Sequence, residues 1–158
     1  MLSERHRELL KQTEALFGQP VELGTEEERL QRVSTALALS LHSVLTTSLA
    51  ADSGLEADIL TRSCAALDEL ASDAELRGLL GGLGLVVGLA EGLPLLSKHA
   101  CGGPALPPSA RALCLAYLRL LGTLLRCAQT SALLHVRSDT THLARLSRWA
   151  TDRSLRHA

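Results

Sequence analysis

LTRSCAALDELASDAELRGLLGGLGLVVGLAEGLPLL, running from Leu60 to Leu96, decides how this chain folds. Up to Ala71 its apolar residues have helical spacing, with Leu60, Cys64, Leu67 and Ala71 stacked on one face. Ser72 followed by Glu75 has the spacing of a capping box and predicts a fresh helix start. That second helix is short, because the pair Gly81-Gly82 breaks it. From Leu83 to Pro94 an almost uncharged helix is expected. The order is therefore long helix, tight corner, short helix, glycine corner, apolar helix.

The rest of the composition agrees with helices and nothing else. Apolar residues make up 46% of the 158, enough for a single domain with a proper core and too many for a disordered chain. Leucine and alanine, the best apolar helix formers, dominate them. Strands favour β-branched and aromatic residues, yet Ile59 is the only isoleucine and Phe17, Tyr117 and Trp149 are the only aromatics. No stretch alternates with period two. The class is all-α.

Charge is unevenly placed. Residues 1–77 carry 14 acidic and 7 basic side chains, whereas residues 78–158 carry 3 acidic and 9 basic. Such polarity could steer a partner or bring two copies together head to tail; it also arises simply because solvated faces need charge of some sign. Cys64, Cys101, Cys114 and Cys127 form no CxxC pair, and Met1 to His6 leads directly into a charged helix with Glu4 and Glu8. Free thiols and an intracellular location, cytoplasmic or nuclear, are the expectation.

Ser3 caps a first helix that should reach about Phe17, where Gly18-Gln19-Pro20 ends it. Thr25 and Glu28 form a second capping box, and Glu26-Glu27-Glu28 suits the positive end of a helix dipole. The helix they start is expected to run to about Ala51 on a seam of Leu30, Val33, Leu37, Leu41 and Val44. Ser53 with Glu56 makes a third box. Ser97 to Pro108 reads as the one long loop, since two glycines and three prolines exclude helix there. A leucine-rich helix should follow from Ser109 to about Ala128, then shorter helices over 130–136 and 140–155. The chain thus divides into an N-terminal helix and linker (1–24), a long helix and turn (25–54) and a third part (55–158).

The pattern of that third part suggests an internal repeat. An offset of 57 residues sets Leu67 against Leu124, Leu70 against Cys127, Leu76 against Leu133 and Leu89 against Leu146. LDELASDAELRGLL and LGTLLRCAQTSALLHV then look like two copies of one corner. This pattern resembles armadillo or HEAT-type helical repeats over roughly residues 55–155. The long loop and the shortage of glycine at the first corner depart from those families. The resemblance implies a short right-handed superhelical stack of about seven helices; an irregular helical bundle is the alternative.

Chemistry is sparse. His99-Ala100-Cys101 is the only close His/Cys pair, and a structural zinc site usually needs two such pairs. There is no GxSxG elbow, and Gly81-Gly82-Leu83-Gly84 lacks the lysine and preceding strand of a phosphate loop. No metal, cofactor or enzymatic activity is expected. Leu79 to Leu96 is apolar, and Gly84, Gly88 and Gly92 have the small-xxx-small spacing of packed membrane helices. Glu91, Pro94 and a length at the lower limit argue instead for a buried core helix. On the helix after Pro108, Arg111, Leu115, Arg119, Gly122 and Arg126 share one arc opposite the leucines. In armadillo-like proteins the third helix of each unit lines the concave groove, and this helix matches it; Arg62, Asp68 and Glu69 would be the matching surface one unit earlier. The expectation is a protein-interaction module, an adaptor or complex subunit, binding a protein partner such as an acidic peptide across these six charged residues. The same arginines also serve simply to keep a leucine-rich helix solvated. Nucleic acid does not fit, because the basic residues lack aromatic platforms. A membrane-associated helical protein using residues 79–96 is the competing reading.

Overall fold

In the computed structural model the chain is all-helical over the residues it describes, which are 2–46, 54–82, 85–101 and 106–125. They form six helices: α1 (Glu4–Leu16), α2 (Glu26–Thr46), α3 (Gly54–Ala71), α4 (Ala74–Gly82), α5 (Leu85–Cys101) and α6 (Pro108–Leu124). The expected end of α2 near Ala51, the Ser53 cap, the helices over 130–136 and 140–155, and Arg126 lie outside the described residues.

Local chemistry accounts for the helix ends. Ser3 accepts a hydrogen bond from the His6 amide at 3.1 Å, which satisfies one orphan donor of the first turn of α1. At the other end Gly18 takes φ 66°, the Gly18 amide donates to the Ala15 carbonyl and the Gln19 amide to that of Glu14. This is a Schellman closure, and glycine suits it because a Cβ is disfavoured at positive φ. The Thr25–Glu28 capping box is reciprocal. The Glu28 amide donates to Thr25 Oγ1 and the Thr25 amide to Glu28 Oε1.

Three boundaries differ from the sequence reading. Asp73, and not Ser72, caps α4: the Glu75 and Leu76 amides donate to its Oδ1 at 3.0 and 3.1 Å, while the Ser72 hydroxyl donates back to the Glu69 carbonyl. A charged acceptor makes the stronger cap, and Ser72 is still occupied by the closing turn of α3. The expected loop from Ser97 is helix as far as Cys101. Pro94 is enclosed in α5 because its neighbours Leu93 and Leu96 are fully buried and hold the turn, and Lys98 and His99 suit the negative end of the dipole. Pro108 opens α6 in place of Ser109; a proline at the first helical position loses only an N–H that has no helical partner.

Packing follows the apolar faces. α3 lies between α1 and α6 and also touches α2 and α4, so it is the most enclosed element. Leu60, Leu67 and Leu70 of α3 and Leu113, Leu120 and Leu124 of α6 are all buried. Ser63 lies buried on the covered side of α3 and Thr61 half-buried beside it, and their hydroxyls donate to the carbonyls four residues back. α5 lies along α2 in the same direction, with Gly88 facing Ala38 and Gly92 facing Leu45. A Cβ on Gly88 would stand 3.1 Å from that of Ala38, and one on Gly92 would collide with the Tyr117 hydroxyl of α6. That hydroxyl donates to the Leu89 carbonyl. Gly88 and Gly92 therefore serve close approach of α5 to two helices, while Gly84 lies outside the described residues. Among the described residues no single helix is long and apolar enough to cross a membrane; Ala74–Leu80 and Leu85–Cys101 would do so only as a pair bent by 68°.

One buried ion pair joins the first corner to this core. Arg29 donates to both carboxylate oxygens of Glu14, at 2.6 and 3.1 Å, and Glu14 is 0% exposed. The same carboxylate accepts from the Glu22 amide.

Two substitution sets test this packing. Gly92→Ala and Gly88→Leu should each cost about 1–3 kcal/mol through overpacking. Gly78→Ala, inside α4 with nothing within 4 Å of its Cβ, should gain about 0.5–1 kcal/mol. Denaturant midpoints would show that order; a neutral Gly92→Ala would contradict the α5–α6 contact. Glu14→Ala should strand the Arg29 guanidinium in the interior at about 3–5 kcal/mol, whereas Glu14→Leu with Arg29→Met should recover most of that loss. Equal loss in single and double variants would show that the pair is not the cause.

Candidate functional site

α1 and α3 carry small residues where they face each other. Ala15, Ala65 and Ala66 do not fill the space between the helix axes, and an open groove of about 600 Å³ remains. Leu9, Thr13 and Leu16 from α1 also line it, and Gln12, Arg62 and Glu69 give it a polar rim. Thr13 offers no spare donor, because its hydroxyl donates to the Leu9 carbonyl at 2.8 Å. The groove is thus apolar in its floor and charged at its edges.

The rim charges are engaged but exposed. Arg5 of α1 reaches across to both oxygens of Glu69, at 3.1 and 3.2 Å, with the two side chains 65% and 43% exposed. Arg62 pairs with Asp58 one turn back at 3.2 Å. Such solvent-facing pairs are screened by salt and give way readily to a competing partner.

The six residues singled out in the sequence do not form one patch. Arg62 and Glu69 are brought together on the α1 side of α3. Asp68 faces the other way and accepts a hydrogen bond from the Thr123 hydroxyl of α6, so its carboxylate joins two helices. On α6 Arg119 and Gly122 are exposed as periodicity predicts, but Arg111 and Leu115 of the same arc are half-buried, while Leu113, Tyr117, Leu120 and Leu124 on the opposite side are buried. The share contributed by α1, above all Arg5 and Gln12, was missed. Its only trace in the sequence is the set of alanines beside each apolar seam, which leave room between helices without stating which helix comes alongside.

The His/Cys candidates are occupied by packing. His99 Nε2 lies 2.7 Å from the Leu45 carbonyl near the end of α2. Among the described residues no group of three or more His, Cys, Asp or Glu side chains is arranged to hold a metal ion. Cys64 and Cys114 are fully buried thiols, and burial pushes the pKa of each up to about 12. Burial also raises that of Tyr117. Compared with protein-family models, with curated proteins and with solved structures, the chain matches none.

The thiols set an alkaline limit. The unfolded chain releases their protons near pH 9.0 while the folded chain keeps them to about 12, so stability is complete below pH 9 and falls as pH rises between those values. Thermal melts across that range should show this fall, and Cys64→Ala/Cys114→Ala should make it shallower, leaving the part above pH 10 to which buried Tyr117 contributes. An unchanged slope in the double variant would contradict the burial of both thiols. The same burial should make native Cys64 and Cys114 slow to react with a thiol reagent at neutral pH.

Proposed function

We propose that this chain is a non-catalytic protein-interaction module that binds a partner segment on the face formed by α1, α3 and α6. The single observation that carries the reading is the groove between α1 and α3, with its apolar floor and its rim of exposed, exchangeable charge at Arg62 and Glu69. This is the chemistry of a surface that receives an apolar side chain and reads the charges around it. Among the described residues nothing comparable points to turnover of a small molecule.

The architecture we infer is a short superhelical stack of the armadillo or HEAT kind. In this reading α2–α3 and α5–α6 are successive helix pairs, α5 laid on α2 and α6 on α3, with α4 as the short helix at the corner. The Asp68–Thr123 bond supports it, since its sequence separation of 55 is close to the internal offset of 57.

Affinity purification from cells with quantitative mass spectrometry tests the assignment. Wild type is compared with Ala65→Trp, which fills the groove from an exposed position, and with Arg119→Glu, which reverses the exposed charge on the outer arc of α6. Both variants should melt within a few degrees of wild type, as surface changes usually do. Loss of specific partners from Ala65→Trp is the expected result, with smaller and salt-sensitive loss from the arginine variant. Identical partner sets for all three proteins would mean that this face is not the binding surface.

A further inference from the structure

Away from that groove, the corner between α1 and α2 shows a second feature. Val21 and Leu23 are 44% and 58% exposed, two of the three large apolar side chains left in solvent among the described residues. Between them Glu22 takes φ 59°, a left-handed conformation that residues with a Cβ rarely adopt. Gly18 and Gly24 on either side also have positive φ.

This backbone is held from several directions. The Glu22 amide donates to the buried Glu14 carboxylate, the Gln19 amide donates to the Glu14 carbonyl, and the Arg32 guanidinium donates to the Leu23 carbonyl. Lys11 adds an ion pair to the Glu22 side chain at 3.7 Å. A buried Glu–Arg pair is a costly way to gain stability, and an apolar pair of the same shape would serve a core at least as well. What the Glu14–Arg29 pair does here is specify the corner. The corner so specified leaves Val21 and Leu23 outside the core. Apolar residues presented on a pre-ordered backbone lose little entropy when a partner covers them.

The surroundings indicate what kind of partner that is. Glu26, Glu27 and Glu28 follow directly at the start of α2, so that with Glu14 and Glu22 five carboxylates gather at this corner against three basic side chains, Lys11, Arg29 and Arg32. The balance of charge around the two apolar side chains is therefore acidic. We propose that residues 19–24 form a pre-organised docking loop for a basic protein segment, in which Val21 and Leu23 insert between apolar side chains flanked by Lys or Arg. This surface is separate from the α1–α3 groove and does not depend on it.

The test uses the full chain and a random-peptide display library. Selection on wild type should enrich peptides with apolar residues between Lys and Arg. A synthetic peptide of the enriched sequence should lose affinity by about tenfold or more against Val21→Ser/Leu23→Ser. It should also weaken as salt is raised. Methyl resonances of Val21 and Leu23 in the wild-type protein should shift on adding that peptide, a readout that needs no variant. The proposal is overturned if enrichment fails, if acidic peptides are enriched, or if the peptide leaves those methyl resonances unmoved. Self-association of wild type that Val21→Ser/Leu23→Ser abolishes would also overturn it, because the loop would then pair with a second copy.

Discussion

α5 can lie against α2 and α6 at once only because it has no side chain at positions 88 and 92. Helix axes normally stand 8–10 Å apart, set by the side chains between them. Removing Cβ at Gly88 and Gly92 admits Ala38, Leu45 and the ring of Tyr117, and the Tyr117 hydroxyl then reaches a main-chain oxygen, that of Leu89. Glycine in a helix interior weakens the helix by roughly 0.5–1 kcal/mol per residue. The contact offsets that weakness, and it also fixes where α2 and α6 sit. With those two placed, α3 fills the space between them and α1, and the groove on its outer flank is a consequence of where α3 must lie.

The first corner obeys a different constraint. There the positions are set by directional bonds in place of apolar contact. Glu14 is wholly buried, and its carboxylate satisfies two donors of Arg29 and the Glu22 amide together. Unpaired, that charge would be costly in the interior; fully paired, it admits one arrangement of the 18–25 segment. Packing thus defines the body of the molecule, and electrostatics defines the loop at its edge.

How much of this was legible follows from the range of each interaction. Ser3, Thr25–Glu28 and Gly18 act within one turn, so their roles could be read directly from neighbouring residues. The exposed arc of Arg119 and Gly122 was equally legible, because a helix with Leu113, Leu120 and Leu124 on one side has one way to face. Pro94 misled: its effect on a helix depends on whether tertiary contacts hold the turn around it, and those contacts are contributed by residues far away in the chain. Ser72 misled for a local reason, since Asp73 competes for the same cap and has the stronger acceptor. Glu14 escaped notice although it follows Leu10 by one helical turn on the buried side of α1. The partner that makes its burial tolerable, Arg29, lies on another helix. The groove could not be read for the same reason. Arg62 and Glu69 were visible as charges on α3, but Arg5 and the floor come from α1, and nothing in either helix names the other.

The central claim is that α5 is an interior helix clamped by α2 and α6, and native-state hydrogen exchange tests it most directly. The amides of Leu89, Ala90 and Leu93 should exchange only through global unfolding, with the same denaturant dependence as Leu67 and Leu70 of α3. Exchange of the α5 amides through a low-energy local opening, while α3 stays protected, would contradict it.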